Sequence, residues 1–287
     1  MQNIDLTDEN FNKLSEKECS LAVQTDTSGF AYSVLEITAN KFVKFSYVNV
    51  ENDFFSDTQY YEKLTSLLKE EVVLKRKFNK ATFIYQSTKF TLIPYTLFEE
   101  EQAEKLYSFN HQTQEGEKIQ INELRNTEAY MIFSVPDDYV NMVESVFPKA
   151  SILHRTGIFI ENLIIAGRKD KYSNEAMLYA DVGEGNFDIA VIENSRLKIC
   201  KNFAFQNEKD FCYFIMFIVE QLKLNPGRSE VVLSGNIDPG STEFQILKKY
   251  IRHISFATRS SFFTYGSRFD ILPQHKFLNL FNVNRCE

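Results

Sequence analysis

The sequence has no tryptophan, only ten glycines and six prolines in 287 residues, and just four cysteines and four histidines. These scarcities exclude whole classes of function. Cys19, Cys200, Cys212 and Cys286 never fall at CxxC spacing, which argues against a zinc site or a disulfide framework and points to a reducing, cytoplasmic setting. His111, His154, His253 and His275 are equally scattered, so no metal-ligand spacing is read from them. There is no basic excess either. A formal charge of −7 lacks the cationic surface that phosphate neutralisation needs, so a general nucleic-acid binder is excluded. The basic triplet Lys75-Arg76-Lys77 reads as a solvated turn. The longest apolar run, Phe211 to Val219, is too short to cross a bilayer and ends at Glu220. The first residues are polar and acidic rather than basic then apolar, so neither a secretory leader nor membrane insertion is expected.

What the chain does have is 27 phenylalanines and 14 tyrosines. Aromatic packing therefore dominates its expected core, and the length allows two lobes. Residues 1–17 read as a polar leader with a short helix from Thr7. Strict alternation through Leu21, Val23, Phe30, Tyr32 and Val34, with the turn Asp26-Thr-Ser-Gly29, predicts a hairpin that a third strand at 41–50 extends into a meander. A helix over 57–69, strands at 80–85 and 90–94, and a helix over 98–108 follow. The polar segment 111–126 is a loop or an edge hairpin. Strands at 129–135 and 150–154, and helices from Pro136 to about Phe147 and over 157–167, complete the first half. The polar stretch 169–175 is the expected junction, dividing the chain into lobes at 1–170 and 171–287, with 266–287 packing back on the first.

The second half repeats the same grammar. Leu178–Ile192 is a hairpin around Gly183 and Gly185, followed by a strand over 196–205 and a helix opened by Asn207 and Asp210. Phe211, Phe214, Ile215, Ile218 and Leu222 recur at helical spacing and form lobe core rather than a partner groove. Asn225-Pro-Gly227 stops this helix, the strand 230–233 leads into Ser234-Gly235-Asn236, and a helix spans 241–251. The aromatic stretch Phe256–Phe281 is either strand packing or an exposed assembly patch.

Asp181-Val-Gly183 carries the sharpest chemical signal. Glycines at 183 and 185 would take positive φ and bring bare N–H groups near an anion, with Asp181 orienting a water beside it. The alternative is an ordinary β-hairpin.

With the internal duplication, these motifs resemble the DUF3822 family of Bacteroidetes proteins, a group of actin-like ATPase fold distantly similar to PilM/FtsA-type assembly proteins. The resemblance implies a duplicated α/β, ribonuclease H-like architecture, with two lobes that each carry a mixed sheet flanked by helices. It implies that Asp181, Gly183 and Gly185 form the second phosphate motif of the actin/Hsp70/sugar-kinase superfamily. Ser234, Gly235 and Asn236 fall at the adenosine motif, with Asn236 replacing the usual second glycine. Gln24 and Asp26 fall at the first phosphate motif, where an aspartate and a glycine are expected. Gln24 cannot accept a proton, and a carboxylate at 26 would repel phosphate by ~4 kcal/mol per charge at about 4 Å and an effective dielectric constant of ~20. The reading that follows is a non-catalytic scaffold that binds a protein partner, with no cofactor. The alternative is an Mg-ATP-dependent enzyme of the same fold.

Overall fold

The computed structural model describes residues 2–50, 56–168 and 176–286, so the expected junction at 169–175 lies outside the described residues. The chain divides into two compact units. One comprises Met1–Leu124, Glu128–Gly157 and Ser260–Leu272, and the other Arg125–Thr127, Ile158–Arg259 and Pro273–Glu287.

In chain order the first unit contains β1 (Ile4–Thr7), β2 (Cys19–Asp26), β3 (Gly29–Glu36), β4 (Lys41–Asn49), α1 (Asp57–Glu70), β5 (Lys80–Tyr85), β6 (Phe90–Pro94), α2 (Ala103–Ser108), β7 (Glu117–Leu124), β8 (Ala129–Pro136), α3 (Asp137–Val146) and β9 (Ser151–His154). The helix α4 (Arg155–Gly167) leads into the second unit, which holds β10 (Met177–Val182), β11 (Asn186–Glu193), β12 (Arg196–Ala204), α5 (Glu208–Gln221), β13 (Glu230–Gly235), α6 (Thr242–Leu247), β14 (His253–Phe256) and α7 (Leu278–Asn282).

The main sheet of the first unit runs β1-β4-β3-β2-β5-β9, and that of the second runs β12-β11-β10-β13-β14. From β4 to β9 and from β12 to β14 the pairings follow one pattern: antiparallel, antiparallel, parallel, parallel. The duplication legible in the sequence is therefore a duplication of sheet topology. The central strands are buried on both faces, as in β3, where seven of eight residues are buried. In the first unit a three-stranded sheet, β6-β8-β7, is inserted between β5 and β9. It packs Ile132 against Ala103 and Tyr107 of α2.

Three elements differ from expectation, and a fourth settles one of two expected alternatives. The leader opens with an unexpected strand, β1, ahead of two 3₁₀ turns, Phe11–Lys13 and Glu16–Glu18: Leu6 is buried, and the strand pairs with the outer edge of β4. There the buried ammonium of Lys44 donates to both Asp5 carboxylate oxygens at 2.6 and 2.7 Å. The acidic run before α2 makes only a 3₁₀ turn, Glu100–Gln102, ahead of a six-residue helix. Segment 111–126 resolves into the edge hairpin, with β7 pairing β8. The helix expected over 241–251 is confined to α6, capped by Ser241, whose Oγ accepts from the Phe244 N–H. The aromatic stretch from 256 is core rather than an assembly patch. Phe263, Phe269 and Phe281 are buried, and Phe262 alone among them is exposed.

Candidate functional site

In the second unit the parallel register of β10 and β13 sets Asp181 beside Ser234 and Val182 beside Gly235. Sequence positions more than fifty residues apart thus meet at the ends of two neighbouring strands. Asp181 is only 2% exposed. Its Oδ1 accepts from the Ser234 hydroxyl and its Oδ2 from the Asn279 carboxamide, each at 2.7 Å. A buried carboxylate needs such donors, because an unmatched charge in the interior costs several kcal/mol.

The backbone around it is equally committed. The Gly183 N–H closes the hairpin onto Asn186 O at 2.8 Å, and the Phe205 N–H bonds Gly185 O at 2.9 Å. Of the two turn glycines only Gly185 takes positive φ, +69°, among the described residues, which corrects the expectation for Gly183. Gly185 is exposed, and a Cβ there would meet nothing. At Gly235, with φ +84°, a Cβ would lie 2.2 Å from Val182 O. Only glycine permits this approach, which lets the Asn236 N–H reach Val182 O at 2.7 Å. The Gly235 N–H bonds His275 O at 2.9 Å.

Three residues at this site were missed in the sequence. Asp188 lies directly across the β10–β11 pair from Asp181, is 1% exposed, and accepts from Asn202 Nδ2 at 2.8 Å. Asn202, Asp188, Asp181 and Ser234 therefore form a polar row across four adjacent strands. The signal available was the spacing of seven between the two aspartates around a tight turn. Asn279 and His275 come from the carboxyl-terminal segment. The signal for Asn279 was one amide inside the apolar run Phe277-Leu-Asn-Leu-Phe281. That segment is held further by Lys276, whose ammonium donates to Asp238 Oδ2 at 2.8 Å. Burial pushes the His275 imidazole below its ordinary pKa, partly offset by Ile237 and Asp238.

Gln24 and Asp26 lie in the first unit, on β2. Gln24 Oε1 is buried without a hydrogen-bond partner. The Asp26 carboxylate turns onto its own hairpin, accepting from the Ser28 N–H at 2.8 Å and the Ser28 hydroxyl at 2.7 Å. Its carbonyl accepts from the Tyr60 hydroxyl, and the neighbouring Thr25 hydroxyl bonds Tyr139 at 3.3 Å. Burial raises the pKa of Tyr60 and Tyr139, which keeps both hydroxyls protonated.

These groups do not fit a magnesium nucleotide as they stand. A phosphate needs N–H donors with free capacity, and those of Gly183, Gly235 and Asn236 each have a carbonyl acceptor. A hydrated cation needs carboxylate lone pairs, and each Asp181 oxygen already gives one to a neutral side chain. Among the described residues no three His, Cys, Asp or Glu side chains converge as a metal site, and no helix is long and apolar enough to cross a membrane.

The model of a family described as a protein of unknown function, DUF3822, matches residues 8–254. No curated protein matches the chain. Among solved structures it is similar to a Bacteroides thetaiotaomicron protein described as having an actin-like ATPase fold and unknown function, at 24% identity and a TM-score of 0.79, over 97% of this chain and 99% of that one. It is also similar to a chain of a PilM–PilN type IV pilus biogenesis complex, at 9% identity and a TM-score of 0.58, over 94% of this chain and 98% of that one. The fold is the actin-like ATPase fold.

Proposed function

For a chain that belongs to the DUF3822 family, we propose a non-catalytic, actin-like scaffold that acts by holding a protein partner in the cytoplasm. One observation carries this reading. In the second unit the N–H groups of Gly183, Gly235 and Asn236 bond carbonyls within the chain, and each Asp181 oxygen accepts a hydrogen bond from a neutral side chain. The first phosphate motif points the same way, because Gln24 cannot take a proton and Asp26 spends its carboxylate on its own turn. A fold whose nucleotide motifs are spent internally keeps its shape and its surface, and surface is what a scaffold uses. The protein partner is supported by analogy of fold alone, since the similar PilM structure is of a complex with PilN.

Calorimetric titration of the purified protein with Mg-ATP and Mg-ADP tests this reading, followed by a turnover assay. No heat at millimolar nucleotide is expected, and no hydrolysis above the protein-free control. Micromolar binding with turnover that Asp181→Ala abolishes would overturn the scaffold in favour of an Mg-ATP-dependent enzyme.

A further inference from the structure

At the amino-terminal ends of β13 and β14 the second unit carries a cluster of positive charge that no contact of the candidate site employs. We propose that this cluster is a docking surface for an anionic lipid membrane, against which the chain rests by charge without inserting. The inference goes beyond the scaffold reading, since it says where such a scaffold would stand, and it does not depend on whether a nucleotide binds.

Two stretches build the surface. Residues 222–229 run from α5 to β13 and hold Lys223 and Arg228; residues 248–252 run from α6 to β14 and hold Lys248, Lys249 and Arg252. Strands β13 and β14 are parallel, with Glu230 opposite His253, so both stretches enter the sheet from the same end. The Arg252 N–H reaches Pro226 O at 3.2 Å and joins them. Ser234 and Gly235 close β13 at its other end, beside Asp181 and Val182, so the surface is separate from the candidate site.

Neither stretch contains an aspartate or a glutamate, and no acidic residue occurs between Glu243 and Asp270. All five cationic residues are exposed. Among the described residues none of the five pairs with a carboxylate. Glu230, two residues after Arg228, accepts instead from the Ser255 hydroxyl at 2.6 Å. Five unmatched positive charges thus collect in one place on a chain of net charge −7. They repel one another, and an anionic partner would relieve that repulsion.

The form of the surface selects the partner. The backbone N–H groups of 222–224, 227–229 and 248–252 all have acceptors within the chain. They are therefore spent for an added peptide strand or a lone phosphate, both of which are gripped through N–H donors. What remains is long, flexible cationic side chains, which meet a plane of anionic headgroups without needing a fixed geometry. Tyr250, 57% exposed, falls between Lys249 and Arg252, and Leu222, 36% exposed, opens the other stretch. Tyrosine beside lysine and arginine is a composition that settles at headgroup level. Beneath them Leu247 and Ile251 are buried in the core of the unit, so the charges stand on a fixed base.

The test is co-sedimentation of the full chain with vesicles of phosphatidylcholine, alone or mixed in equal parts with phosphatidylglycerol. Binding to the mixed vesicles only is expected, and its loss at about 1 M salt, where the screening length shrinks to about 3 Å. Each Lys or Arg near an anionic surface strengthens binding about fivefold, so Lys248→Ala/Lys249→Ala should weaken it by about twenty-five-fold. Both side chains are exposed, so the fold should tolerate their loss. Lys75→Ala/Lys77→Ala removes the same charge from exposed positions of the first unit and should leave binding nearly unchanged. No binding by wild type overturns the proposal. Equal weakening by the two double variants overturns it as well, since net charge rather than this surface would then be the cause. Labelled poly-L-glutamate is the second probe. If wild type binds it, Lys248→Ala/Lys249→Ala does not, and the vesicles are ignored, the surface belongs to an acidic protein segment and the lipid is wrong. Nucleotide binding with turnover would instead defeat the scaffold reading and leave vesicle binding untouched, so the two failures are distinguishable.

Discussion

At the scale of single residues, Gly235 and Gly185 separate two uses of the same amino acid. Both have positive φ, +84° and +69°. At Gly185 a side chain would find open space, so Gly185→Ala carries only the cost of left-handed backbone, about 1–2 kcal/mol. At Gly235 the added carbon would sit 2.2 Å from the backbone oxygen of Val182, which cannot move without breaking the β10–β13 register. Gly235→Ala should therefore cost about 3 kcal/mol or more, or abolish folding, since large losses come from strain and steric conflict of this kind. Urea midpoints of the two variants test the order. Equal losses would mean that β10 and β13 are not held as close as described. The sequence could suggest a glycine pair at 183 and 185, but only the pairing of β10 with β13 identifies 235 as the position where glycine is required.

At the scale of elements, what could be read in advance was what local patterning determines. The meanders β2-β3-β4 and β10-β11-β12 follow from apolar alternation around turn residues. Helix α5 follows from its periodicity and its cap, where Asn207 Oδ1 accepts from the N–H groups of Lys209 and Asp210 at 2.9 and 3.1 Å. Asn207→Ala should lower stability by about 1 kcal/mol, whereas Asn207→Ser should restore most of it. Thermal melts of the pair decide this, and an unchanged Asn207→Ala would show that α5 is fixed by packing alone. The elements that escaped are those settled by distant partners. Strand β1 is four residues long and exists because β4 offers an edge. Thr264–Tyr265 pairs for two residues with Lys41–Phe42 of the same strand, too short a stretch for any period. Helix α7 has five residues, and its Asn279 matters through a partner 98 positions away. Local motifs singled out Asp181, Ser234 and Gly235; Asp188, His275 and Asn279, which the structure brings beside them through distant pairings, escaped.

At the scale of the whole molecule, each unit buries one neutral histidine, and this couples stability to acid. His154 in the first unit is fully enclosed. Its Nδ1 accepts from the Thr156 N–H at 3.2 Å, and its Nε2 faces the Ser87 backbone, 3.1 Å from the carbonyl oxygen and 3.3 Å from the nitrogen. Burial pushes its pKa down to about 3. His275 in the second unit is lowered for the same leading reason. Unfolded, both would titrate near the ordinary value of about 6.5. Below that pH the unfolded chain binds protons the folded one refuses, so stability is complete above about pH 6.5 and declines as acid is added, for His154 down to about pH 3. The carboxylate of Asp8 is lowered chiefly by its hydrogen bond from Lys41, so its contribution is lost only below the ordinary carboxylate range. Between pH 7.5 and 5 the histidines therefore dominate among these three groups. At pH 5 a site such as His154 loses about 2 kcal/mol, from roughly 1.4 kcal/mol for each pH unit below 6.5. Urea unfolding of wild type should show this fall. The variant His154→Gln/His275→Gln, whatever its absolute stability, should show a much flatter midpoint across the same interval. A slope unchanged by the double substitution would place the acid sensitivity elsewhere and contradict the burial of both imidazoles in their neutral form.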